Sequence, residues 1–174
     1  MMMRMLQAGG MPLFVDELRQ ADEDNPVGYY ELEEVKSLLK NEDKAWLGGG
    51  HGKAIKIVSA LLPGLPNNYF YRVIFMQRNL DEVILSQNKM LRRRGEPVDE
   101  SSDEQMRGML EKHLVRTKLW IEGQANVTVV EVPYSEVIAH PRSQAKRVRN
   151  FLRVNLDVKN MASAVDPGLY RNRR

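Results

Sequence analysis

The stretch that most restricts the fold is Tyr71 to Leu91, YRVIFMQRNLDEVILSQNKML. Tyr71 to Met76 is a short run of apolar, β-branched and aromatic residues, which predicts a buried strand. At Gln77-Arg78-Asn79 the period changes. Asn79 is a helix-capping residue, Asp81 and Glu82 supply an acidic first turn, and Leu80, Val83, Ile84, Gln87, Met90 and Leu91 recur at helical spacing. In an open α/β sheet, the turn after a strand lies at the carboxyl edge, where ligands bind. That turn carries Arg78, a permanent cation with a forked set of donors, and Ser86 follows two helical turns later. Residues eight apart on a helix face roughly the same way. A phosphate above the helix start would take charge-assisted bonds from the guanidinium and another from the hydroxyl. The plainer alternative pairs Arg78 with a carboxylate and makes Ser86 a small packing residue.

The remaining pattern alternates strands with helices. Met1 to Ala8 is expected to be a helix closed by Gly9-Gly10, and Met11 to Val15 and Lys53 to Ser59 are strand candidates. A helix is expected over about Glu31 to Lys40, a short one over Lys44 to Leu47, and a loop at Gly48-Gly49-Gly50-His51-Gly52. That loop lacks the terminal Lys-Ser/Thr of a phosphate-binding loop and precedes a strand instead of following one. Ser101 to Gly123 is the longest helix, with Met106, Met109, Leu110, His113, Thr117, Trp120 and Ile121 on one stripe. His113 is expected half-buried with one nitrogen satisfied. Asn126 to Val132 is a strand as clear as Tyr71 to Met76. Pro141 to Val154 is an amphipathic helix with Arg142, Lys146, Arg149 and Arg153 on its polar face. The expected class is α/β, with a parallel sheet and crossover helices.

At 174 residues, the chain suits a single domain over residues 1–174. The absence of cysteine excludes disulfides, thiolate metal sites and thiol catalysis. His51, His113 and His140 are scattered without metal-ligand spacing, so no metal cofactor is expected. A net charge of +3 suits a small anionic ligand without calling for nucleic acid. No apolar run approaches the ~18 residues of a membrane span, and the apolar part of the start is too short for a signal peptide. A cytoplasmic protein is the expectation.

Arg78 and Ser86, at the end of a strand and within the next helix, resemble the 3′-phosphate-binding motif of sulfotransferases that use 3′-phosphoadenosine 5′-phosphosulfate. The wider text RVIFMQRNLDEVILSQNKML is similar to the bacterial sulfotransferase-like branch of that P-loop superfamily. The resemblance implies a three-layer α/β/α sulfotransferase fold with a parallel sheet, and transfer of a sulfuryl group to a hydroxyl or amine of a small-molecule or carbohydrate acceptor. It implies 3′-phosphoadenosine 5′-phosphosulfate, or adenosine 3′,5′-bisphosphate, as the bound nucleotide, on Arg78 and Ser86 with Arg171, Arg173 and Arg174 returning from the tail. Asn25-Pro26-Val27-Gly28-Tyr29-Tyr30-Glu31 resembles that branch's NPxGYxE segment, which makes Glu31 the candidate base. Its plainer reading is a helix N-terminal carboxylate. Lys56 leads to Val58 and Ser59, not to the histidine base of cytosolic animal relatives.

In the family, a strand and a 5′-phosphosulfate loop precede the helix that Met1 to Gly10 resembles. The expectation is therefore a fold missing its first strand and that loop, and a chain incomplete for catalysis. An absent upstream segment, a sheet closed another way, and pairing with a second chain, for example as a homodimer, would each account for it. The competing function is a non-catalytic module that holds a polyanion on Arg92 to Arg94 and the Arg142 to Arg153 face. A nucleotide kinase of P-loop architecture is a third.

Overall fold

Tyr71–Gln77 forms strand β1 because its alternate side chains find cover on two sides. In the computed structural model, which describes residues 1–16, 18, 28–98 and 102–169, β1 pairs in parallel with β2, Val127–Pro133. The register runs from Tyr71 opposite Val127 to Gln77 opposite Pro133. Parallel neighbours need a long crossover, supplied here by helices α2 (Leu80–Arg93) and α3 (Asp103–Glu122). Val73, Phe75 and Val127 pack with Leu62, Leu114, Trp120 and Ile121 on one side of the sheet. On the other side Ile74, Met76, Val130 and Val132 join the larger core, which holds Met2, Met5, Leu6, Ala145, Val148 and Met161. Helices thus cover both faces, as a parallel sheet requires.

The larger core is built by α1 (Met2–Ala8), α4 (Tyr134–Ala139), α5 (Pro141–Leu152) and α6 (Val158–Ser163). Met2, Met3 and Met5 are all buried, so the methionine-rich start is core filler. α1 has no side-chain cap, and it ends where Gly9 passes so close to α6 that a Cβ there would lie 2.5 Å from Met161 Cγ. Gly9 also accepts a backbone bond from Asp157 N at 3.0 Å. Near the start of β1, Arg72 donates to the carbonyls of Phe151 and Leu152, the last residues of α5. Those carbonyls have no helical partner, so a cation is favoured there.

Several expected elements are shorter or differ in kind. The mixed α/β class holds, but the described sheet has two strands. The segments expected as strands at Met11 to Val15 and Lys53 to Ser59 meet in one parallel bridge, Leu13 to Ala54, and no backbone bond among the described residues joins that pair to β1 or β2. The helix expected over Glu31 to Lys40 is a 3-10 segment, Glu33–Ser37. It starts late because Leu32 is extended and buried as an anchor. The expected Gly48 to Gly52 loop is partly taken up by a 3-10 segment, Ala45–Gly50, and Ser59–Gly64 forms another. Met109, placed on the inner stripe of α3 by periodicity, is 58% exposed at the margin of that stripe. α4 and α6 were not foreseen. Met5, with no exposed surface, is expected to cost about 2–5 kcal/mol on Met5→Ala, whereas Met109→Ala should change stability by less than about 0.5 kcal/mol. Urea denaturation of both variants checks the difference.

Candidate functional site

Because Gln77 and Pro133 are opposite one another at the end of the ladder, the residues that follow them, Arg78 and Tyr134, leave the sheet side by side. The Arg78 guanidinium carbon lies 5.4 Å from the centroid of the Tyr134 ring, over its face. Asn79 then starts α2, its side-chain oxygen accepting from Asp81 N at 2.8 Å. The first turn of α2 brings Glu82 back beneath the turn, and Arg78 Nε donates to Glu82 Oε2 at 3.3 Å. Glu82 is buried, with its side chain 6% exposed, while that of Arg78 is 30% exposed. An unpaired buried carboxylate would cost several kcal/mol, so this cation is part of the fold as well as of the surface.

The guanidinium is held on two sides. Its Nε is committed to Glu82 and its face to Tyr134, and its two terminal nitrogens have no protein partner among the described residues. Burial pushes the Tyr134 phenol above its ordinary value; Arg78 opposes that shift, and the carboxylates of Glu82 and Asp166 add to it. The phenol therefore stays protonated beside the cation. Ser86 lies two turns into α2, half-buried, and its hydroxyl makes no hydrogen bond to a described residue.

Glu31 is placed by a separate set of contacts. Lys56 Nζ donates to Glu31 Oε1 at 3.0 Å and to the Tyr29 carbonyl at 2.7 Å, with the ammonium 5.9 Å from the Tyr29 ring centroid. Asp16 N donates to the Glu31 carbonyl at 2.9 Å, and the Tyr30 hydroxyl reaches Gln7 of α1 at 3.3 Å. Tyr30 holds a left-handed backbone, φ 53°, to make this turn. Burial lowers the pKa of the Met1 amine from its ordinary value, and Arg4 and Lys56 lower it further. Arg171, Arg173 and Arg174, and the Asn25-Pro26-Val27 part of the segment before Glu31, lie outside the described residues.

Two further polar clusters flank the sheet. Glu131 accepts from Lys118 of α3 at 2.8 Å and from Gln77 Nε2 at 2.6 Å. The hydrogen bond from Lys118 is the main cause of its lowered pKa. Ser59 Oγ lies 2.8 Å from His113 Nε2, so His113 has the one satisfied nitrogen expected of it. The plainer alternative for Arg78, a carboxylate partner, is what the structure shows, with Glu82 as that partner; sequence reasoning missed Tyr134 and Lys56 as neighbours of the candidate residues. Only Glu82 had a local signal, its i,i+4 spacing from Arg78.

Comparison with protein-family models, with curated proteins and with solved structures gave no match. Among the described residues, no three His, Asp or Glu side chains are grouped to hold a metal ion, and no helix is long and apolar enough to cross a membrane. What the fold and site define is a mixed α/β protein with a fixed cation at the carboxyl end of a parallel strand pair.

The lowered pKa of Glu131 has a pH consequence. A carboxylate whose folded pKa is depressed stabilises the fold above its ordinary range and loses that contribution as pH falls through the folded value. Both partners are roughly two-fifths exposed, so solvent screening keeps the effect below about 1 kcal/mol. Glu131→Gln should be less stable than the parent near neutrality, and urea midpoints of the two should converge in acid.

Proposed function

We propose that the protein is a sulfotransferase-like domain that binds the 3′-phosphate of adenosine 3′,5′-bisphosphate or 3′-phosphoadenosine 5′-phosphosulfate through Arg78 and Ser86. The observation that carries the proposal is Arg78, immobilised by Glu82 and Tyr134 and with no partner for its terminal nitrogens among the described residues, at the carboxyl end of one of two adjacent parallel strands. A fork whose two terminal nitrogens bond no described residue suits two oxygens of one phosphate, and its fixed position lowers the ordering cost of binding. Ser86 would supply the further donor. In the same proposal, the β1–β2 sheet with helices on both faces is part of a three-layer α/β/α architecture.

3′-Phosphoadenosine 5′-phosphosulfate, when bound, would supply an activated sulfuryl group, and the side chains of this chain would bind and orient. Glu31 would take the proton from the acceptor hydroxyl or amine, and Lys56 holds that carboxylate in place. Residues 1–174 contain no segment that reads as the family's 5′-phosphosulfate loop, so the activity proposed for these residues is recognition of the 3′-phosphate half.

Calorimetric titration with adenosine 3′,5′-bisphosphate tests the site. Arg78→Lys keeps a charge beside Glu82 but loses the fork. It should weaken binding about tenfold or more, and Ser86→Ala likewise, since a bond to a charged group contributes roughly 1.5–3 kcal/mol. Equal affinity in the parent and both variants would remove Arg78 and Ser86 from the site.

A second reading rests on α5. Arg142, Lys146 and Arg149, with Arg153 just beyond, repeat at i, i+4, i+7 and i+11, and α5 has no acidic residue. Arg142, Lys146 and Arg153 are exposed, and the Arg149 side chain bonds only to Asn150 Oδ1 among the described residues. Such a stripe suits a non-catalytic polyanion-binding module. Retention on an immobilised polyphosphate that falls steeply with salt, is reduced by Arg142→Ala with Lys146→Ala, and ignores Arg78→Lys would favour it.

A further inference from the structure

α3 buries Thr117 and Ile121 against the sheet, with Leu114 and Trp120 beside them. Its opposite face is unusual for a surface helix. Val115 and Leu119 are 59% and 62% exposed, and Lys112 and Glu122 stand exposed on either side of them. The four occupy positions i, i+3, i+7 and i+10, the spacing of a seam between two helices. Neither Lys112 nor Glu122 has an ion-pair partner among the described residues.

We propose that this face is a docking surface for a second copy of the chain, with the two α3 helices antiparallel about a two-fold axis. The seam is self-complementary in that orientation. Lys112 meets Glu122 of the partner subunit, Val115 meets Leu119 of the partner subunit, and both contacts recur on the other side of the axis, as an isologous interface requires.

The charges select this orientation. Antiparallel packing gains two Lys–Glu contacts and opposes one pair of Arg116 side chains near the axis. Parallel packing also gains two, between Glu111 and Arg116, but stacks lysine on lysine at 112 and glutamate on glutamate at 122. Lys118, which also flanks the seam, is already neutralised by Glu131 at 2.8 Å. Two apolar residues per copy bury less than the ~1,200 Å² of a stable interface. The dimer is therefore weak and forms in a concentration-dependent way. It involves none of the residues assigned to nucleotide binding.

Sedimentation equilibrium of the whole chain over micromolar to millimolar concentration tests the proposal. The parent should shift from monomer to dimer across that range. Leu119→Lys should remain monomeric with an unchanged melting temperature, because the side chain is exposed. Lys112→Glu should weaken association by setting two carboxylates against each other, and adding Glu122→Lys should restore it. The chain has no cysteine, so orientation can be read from single thiols. A mixture of V115C and L119C chains should cross-link faster than either alone. A parent that stays monomeric throughout, a dimer indifferent to Leu119→Lys, or faster self-cross-linking of V115C would each overturn the proposal.

Discussion

The parallel pairing of β1 with β2 is the constraint on which the rest of the structure depends. Seven residues of each strand are in register, from Tyr71 opposite Val127 to Gln77 opposite Pro133. This pairing commits α2 and α3 to the crossover and gives α1, α5 and α6 an apolar face to pack on. It also sets Arg78 next to Tyr134, since each is the first residue past its strand. The candidate site is thus a product of register: a slip of one residue would turn the packed side chains to the wrong face and separate the cation from the ring.

The environment of Arg78 ties the stability of the fold to the recognition proposed for it. Glu82 is buried where a lone carboxylate would be strongly disfavoured, and Arg78 Nε offsets that cost. The ring of Tyr134 covers one face of the guanidinium, which restricts its rotamers without using any of its N–H donors. A long, flexible side chain is thereby held in place while its two terminal nitrogens make no bond to a described residue. Lys56 has a comparable role for Glu31, spending one bond on the Tyr29 carbonyl and one on the carboxylate.

Much of the fold near β1 was legible because its signals are local. The apolar run from Tyr71, the cap at Asn79 and the acids at Asp81 and Glu82 all act within a few residues, and each appears as read. Val127–Pro133 was equally clear. Met11 to Val15 and Lys53 to Ser59 were not: their apolar residues do reach the core, as Leu13 and Ala54 show, but burial does not require a ladder, and they share only one bridge. Tyr134 and α4 could not be foreseen, since Tyr134 acquires its role only from the strand beside its own. Arg78 and Ser86 are candidates from their spacing taken with the family resemblance of the surrounding text, whereas the contacts that fix Arg78 come from Glu82, which reads as an ordinary first-turn acid, and from across the sheet.

The central claim is that Arg78 is a prearranged anion receptor, and nitrogen-detected NMR of its guanidinium tests it most directly, with the resonances assigned by their loss in Arg78→Lys. The account predicts an Nε proton already protected in the free protein by its bond to Glu82. It predicts terminal protons that exchange rapidly until adenosine 3′,5′-bisphosphate is added and slowly afterwards, with adenosine 5′-phosphate producing no such change. Terminal resonances that ignore the bisphosphate, or an Nε proton unprotected from the outset, would contradict it.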